Sequence, residues 1–327
     1  MREIKRYEFI LRAQTAIAHH AEVFGNSAIS MRRKIRQPDG AFAQVPIVTG
    51  DTMRHGLREA SAYAVLDAAG MLDAPALTES ALRLLFAGGM ISGKGDASTI
   101  KLDQYREMVD LMPPLALLGG CAQNRSIPGR MQVDDALLIC DETRHVLPSW
   151  VVEHLGASGQ AVDSARTHIE EVQRVRMDPS LVPDKRALLT DGGAAVEKRL
   201  GKSEEASAVG DALAKDDAKS TMLPRRFETV VAGSLFYWSL TATCLSDLDV
   251  GALNTMVAAF LASATVGGKR ATGHGRIVAV EARGVPVVRP GQAAPVALDD
   301  AFGVREFREH VTSRAEKIRA WLAGVDA

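Results

Sequence analysis

Six apolar segments, each with a clear period, follow one another along this 327-residue chain in the order strand, helix, strand, strand, helix, strand. Residues 3–17 place Tyr7, Phe9 and Leu11 at alternate positions, the period of a half-buried strand. After Thr49-Gly50-Asp51, Met53, Leu57, Ala60 and Ala64 recur at three and four residues and predict a helix over 51–70. Arg130 to Asp141, with its apolar run Ala136 to Cys140, reads as a strand. Phe227 to Cys244 has so little polar face that it reads as a central one. Val250, Leu253, Val257 and Phe260 mark a helix over 247–265, and 276–283 is the last strand. This βαββαβ order is the ferredoxin-like arrangement of the RNA-recognition motif. An α+β fold is therefore expected, in which a four-stranded antiparallel sheet carries both helices on one face.

Long insertions separate these elements. Ile29 to Gln37 and Ala41 to Val48 flank Pro38-Asp39-Gly40, good turn chemistry, and predict a basic hairpin over 29–48. A short helix is expected over Thr78 to Phe86, followed by a loop over 88–101. Residues 142–226 keep Trp150 as their one aromatic residue and fill with mixed charge, so they read as a solvated insertion. The expected organisation is a palm of 1–141 and 227–327, with 142–226 as an inserted lobe. Val304, Phe307, Val311, Ile318 and Leu322 predict a C-terminal helix docked by one side.

Charge restricts the function classes. Lys plus Arg total 39 against 40 acidic residues, so any binding of a polyanion must be local. Arg32, Arg33, Lys34, Arg36, Arg54 and Arg58 face only Asp39 and Asp51 over 29–58, a basic patch. Cys121, Cys140 and Cys244 lie far apart without ligand spacing, and no apolar run is long enough to span a membrane. A cytoplasmic protein with no metal, no cofactor and no membrane partner is expected.

Gly267-Gly268-Lys269-Arg270-Ala271-Thr272-Gly273-His274-Gly275-Arg276 joins the second helix to the last strand. Four glycines give its peptide N–H groups freedom to converge on an anion, and the cations add charge-assisted donors. Nucleotide loops run from strand to helix, whereas here the helix comes first, which disfavours an NTP or NAD site. A helix C-cap followed by a tight turn is the plain alternative.

Two further segments stand beside this loop: Val45 to Arg58, which leads into the first helix, and Gly119 to Arg130, which leads into the second core strand. Together the three resemble the repeat-associated (RAMP) proteins of CRISPR systems, specifically the backbone subunit that polymerises along guide RNA, and among these the type IV effector backbone protein. The resemblance implies a modified recognition-motif palm, a thumb within 142–226 and a helical filament that holds the crRNA backbone. Its implied partners are crRNA, a complementary target nucleic acid, other copies of the chain and other effector subunits. Carried onto this sequence, Asp51, Thr52, Arg54 and Arg58 would face phosphates. Arg32 and Lys34 of the hairpin would reach toward RNA, Gln123, Asn124 and Arg125 would line the groove, and Gly267, Gly268, Lys269, Arg270, His274 and Arg276 would grip the strand. Contacts to backbone phosphates suit a guide whose letters must vary.

Each signal has a plain counterpart. Arg54 and Arg58 can be a solvated helix face, and the hairpin cations can protect a sheet edge. Phe236, Tyr237 and Trp238 read as core more than as base-stacking surface, and His19-His20 as a strand-end pair more than as metal ligands. A rival function is a ribonuclease. Type III relatives cut with an aspartate before the first hairpin, but here Asn26 to Lys34 contains no acid and Asp39 lies inside the turn. The expectation is a non-catalytic subunit; a protein-binding scaffold is the third alternative.

Overall fold

The computed structural model describes residues 3–73, 77–89, 98–99, 101–122, 125–159, 161–174, 182–191, 194–198, 225–284 and 303–326. They fall into two compact units. The first holds 1–19, 31–169 and 230–327, and the second 20–30 and 170–229.

A seven-stranded sheet organises the first unit. Its strands are β1 (Glu3–Ala13), β2 (Arg32–Arg36), β3 (Phe42–Val48), β4 (Met131–Val133), β5 (Ala136–Leu138), β6 (Leu235–Leu245) and β7 (Ile277–Arg283). They lie in the order β7-β1-β6-β5-β3-β2, with β4 also paired to β6, and every pairing is antiparallel. Helix α1 (Gly50–Ala68) follows β3 and helix α6 (Asp247–Ala262) follows β6. With the hairpin β2–β3 set aside, the sheet order is fourth, first, third, second strand, which is the ferredoxin-like arrangement expected from the sequence.

The alternation in β1 decides which residues meet the helices. Tyr7, Phe9 and Leu11 enter the main core with Phe236 and Trp238, and Phe9 stacks on Trp238 at 5.0 Å between ring centroids. Trp238 in turn meets Phe260 of α6 edge-on. The buried Tyr7 hydroxyl donates to Asn254 Oδ1 at 2.6 Å, so the polar tip of a core residue is satisfied and β1 is tied to α6. Ile10 points to the other face, where α5 (Ser149–Ser158) covers it with Trp150, Val151 and Leu155. Tyr237 shares that face and donates its hydroxyl to Glu8.

Several boundaries differ from expectation. The strand 3–17 ends at Ala13, and the strand 227–244 divides at Ala232-Gly233, with Gly233 at φ 90°, into Arg225–Val230 and β6. The hairpin begins at Arg32, because Ser27–Ser30 pairs in another sheet. The inserted lobe starts later than composition places it: α5 buries Trp150, Val151 and Leu155, so 142–169 pack with the first unit. The short helix expected over Thr78 to Phe86 is α2 (Glu79–Ala87), with Thr78 as its cap, while the loop expected over 88–101 lies mostly outside the described residues. Helices α3 (Leu102–Leu111) and α4 (Pro113–Leu118) were not foreseen, and the C-terminal helix breaks at Arg314 into α7 (Val304–Ser313) and α8 (Ala315–Ala323).

Helix α7 docks through two glycines. A Cβ on Gly251 of α6 would lie 2.1 Å from the carbonyl oxygen of Gly303, which caps α7 at φ 74°. Gly251→Ala gains about 1 kcal/mol of helix propensity but forces two backbones apart at a cost of about 1–3 kcal/mol. Overpacking is expected to win, and chemical denaturation should register a net loss of about 1 kcal/mol.

Among the described residues the second unit contains a four-stranded sheet in the order 169–174, 225–230, 27–30, 20–24. Glu228 accepts from the Ser30 peptide N–H at 2.9 Å, and Phe227 lies between His20 and Arg174.

Candidate nucleic-acid interface

The loop from Gly267 to Arg276 folds back on the segment that follows β1. Gly268 N–H donates to Ala18 O at 2.7 Å, Gly275 N–H to Ala16 O at 2.9 Å and Arg276 N–H to Thr15 Oγ1 at 3.0 Å. The peptide N–H groups of Thr272 and Gly273 are also bonded, within the turn. This corrects the expectation of N–H groups converging on an anion: most are spent inside the protein. The glycines serve close approach instead. A Cβ on Gly267 would sit 2.6 Å from Ala18 O, and one on Gly275 2.0 Å from Val266 O. What the loop offers outward is side chains, since Arg270 and Arg276 are exposed. Lys269 takes φ 58°, a left-handed conformation that costs a non-glycine residue about 1 kcal/mol.

His19 links this loop to the start of α1. Its Cβ lies 3.3 Å from the position a Gly267 Cβ would take, and its Nε2 meets Thr49 N–H at 3.3 Å and Thr49 Oγ1 at 3.2 Å. Thr49 caps α1 by accepting from Thr52 N–H, and the two hydroxyls are 3.0 Å apart. The next peptide, Gly50 N–H, donates to Asp135 Oδ1 at 2.7 Å, while Asp135 Oδ2 accepts from Arg33 Nε at 2.7 Å. Its hydrogen bond to Asp135 holds the Arg33 guanidinium pKa above its ordinary value. Glycine loop, His19, the first turn of α1 with Asp51 and Thr52, and Arg33 thus form one chain of contacts. His19, Arg33 and Asp135 were outside the site expected from sequence. Each comes from a different element, so no local spacing could have joined them.

Other expected residues lie elsewhere. Arg54 donates to Leu118 O and Arg58 to Gly119 O at 2.8 Å, so both cap the C-terminal carbonyls of α4. Arg58 is 6% exposed and has no surface from which to reach a phosphate; burial, with Arg54 nearby, pushes it down to about 10. Arg54 and Glu59, which pairs with Arg270, lie about 140° apart around α1, so the glycine loop meets a different flank. The expected convergence of that loop with Arg54 and Arg58 is therefore replaced by its junction with the first turn of the helix. Arg125 donates to Gln104 of α3, while Gln123 and Asn124 lie outside the described residues. On the hairpin, Arg32 faces Pro46 across the ladder and Lys34 lies over the Phe42 ring at 4.2 Å, on an edge strand.

The segment Gly119 to Arg130 proves structural. Gly119 and Gly129 are packed so closely that a Cβ on Gly119 would strike the backbone of Gly129 and Ile127, and one on Gly129 the backbone of Leu118 at the end of α4. Arg130 donates to both carboxylate oxygens of Asp249, at 3.1 and 2.6 Å. Burial alone would raise the Asp249 carboxyl, but its hydrogen bonds with Arg130 and Ser246 outweigh that and hold it below the ordinary range. Among the described residues no cluster of three or more His, Cys, Asp or Glu is placed to hold a metal ion, and no helix is long and apolar enough to cross a membrane.

No protein-family model matches the chain, and no curated protein matches it in sequence. A solved chain described as belonging to a type IV-B CRISPR complex matches it with a TM-score of 0.51 at 17% identity, covering 89% of this chain and 95% of that one. The ferredoxin-like architecture with its insertions is thus similar in fold to a solved chain of a type IV-B CRISPR complex.

Proposed function

We propose that this chain is a non-catalytic, crRNA-binding backbone subunit of a type IV CRISPR effector, which assembles with other copies of itself and other effector subunits. The observation that carries the reading is the junction of the cationic glycine loop with the first turn of α1 across Ala18 and His19, on a chain of this fold. Lys269, Arg270 and Arg276 of the loop and the hairpin cations, Arg33 on one face of β2 and Arg32 and Lys34 on the other, supply charge that holds a sugar-phosphate strand without reading its bases. The thumb of this reading is the second unit, 20–30 with 170–229, rather than 142–226. Successive copies pre-order the guide, so a complementary strand pairs without ordering it first.

A nuclease reading finds little support at Asp39. Its Oδ1 accepts from Ala41 N–H at 2.9 Å and so shapes the hairpin tip. The chain expressed in its native cells should co-purify with small RNA of defined length, and this assembly should leave complementary RNA intact in magnesium. Protein free of nucleic acid would favour the scaffold alternative; cleavage abolished by Asp39→Ala would favour the nuclease.

A further inference from the structure

A groove of about 740 Å³ opens between α1, α6 and α7, with part of the glycine loop in its wall. Its floor is small and apolar: Ala60 and Ala64 of α1 and Ala259 of α6. Tyr63, Phe260 and Phe307 give aromatic edges, and Tyr63 is 51% exposed, a large ring left to water beside a concave surface. Two ion pairs cross its walls. Arg270 reaches Glu59 at 3.4 Å and Arg308 reaches Asp67 at 3.5 Å, each tying one wall to α1. Among the described residues of the lining both carboxylates are thereby matched, and Arg276 stands as one arginine in excess beside His274.

We propose that this groove is a binding site for a free mononucleotide, a flat aromatic body carrying one phosphate. The size lies within the roughly 300–1,000 Å³ of small-molecule sites, which are mostly apolar with a few placed polar groups. The base would lie on the alanine floor against Tyr63, and the phosphate would meet Arg276 and Arg270 at the loop. The surplus positive charge is small, which favours a monophosphate over the higher charge of a triphosphate. The inference stands apart from the guide-strand reading, although the two share loop arginines.

Isothermal titration of the full chain, cleared of nucleic acid by high salt, with AMP, adenosine and inorganic phosphate tests it. AMP is expected to bind at least tenfold tighter than either fragment. Ala64→Trp, which fills the floor, and Arg276→Gln should each weaken AMP at least tenfold, and Ala64→Trp should leave RNA retention unchanged. If the tryptophan variant does not fold, Tyr63→Ala takes its place with the same expected loss. AMP binding no tighter than phosphate, no AMP binding up to millimolar concentration, or full affinity in the floor variants would overturn the proposal. So would loss of RNA from Ala64→Trp, which would make the strand itself the occupant.

Discussion

Asp249→Ala is expected to lower the free energy of unfolding by about 3–5 kcal/mol, because it strands a largely buried guanidinium. Asp249 has a side chain only 4% exposed and Arg130 one 17% exposed, so solvent screens the pair little. The same carboxylate accepts from Ser246 N–H at 2.9 Å in the capping box of α6, so the helix start is lost with the ion pair. Urea denaturation, with the exposed Arg305→Ala as control, measures the difference. The acid limb gives a second readout. The folded carboxyl is held below its ordinary value of 3.8, so its contribution is complete above that value and is lost as pH falls through the lower, folded one. Wild type should therefore lose more stability than Asp249→Asn on acidification below about pH 4. Equal acid dependence, or a loss under 1 kcal/mol for the alanine variant, would contradict this account.

Charge reversal at Lys269 and Arg276 should remove RNA from the purified protein while leaving its melting transition in place. Both belong to a loop whose fold rests on backbone bonds to Thr15, Ala16 and Ala18, which side-chain substitution leaves intact. Binding to a single strand falls with salt at a slope of about −0.7 per phosphate contact, so losing two contacts flattens the slope by about 1.4 per subunit. The affinity loss is expected to exceed tenfold near physiological salt. Arg58→Glu should behave in the opposite way, unfolding the chain before it affects RNA, because it places a carboxylate against the carbonyl of Gly119. Filter binding across a salt series, paired with thermal melts, separates the two. Unchanged RNA content in the loop variant would remove the glycine loop from the interface.

The contrast between these arginines explains where the sequence was readable. Arg54 and Arg58, spaced i and i+4, look alike whether they face water or a neighbour. Their direction depends on α4, whose C-terminal carbonyls they cap, and α4 itself was hidden in a run that opens with two prolines, Pro113 and Pro114. Trp238 and Phe236 were legible as core, because strand alternation beside Phe9 and Leu11 fixes their face. Asp135 was not legible, since it serves the α1 N-terminus from the gap between β4 and β5, 85 residues away from Gly50.

Periodicity determined the order of the six core strands and helices, and with it the ferredoxin-like sheet, because alternation and 3.6-residue repeats are local and burial acts on them directly. Glycines and cations in the loop after α6 marked a place of close approach. Only the tertiary structure decided what approached: the backbone of 15–18, with His19 leading on to α1. Hydrogen-bond partners and the side of a helix that an arginine faces arise from elements distant in the chain, and no residue's own neighbourhood encodes them.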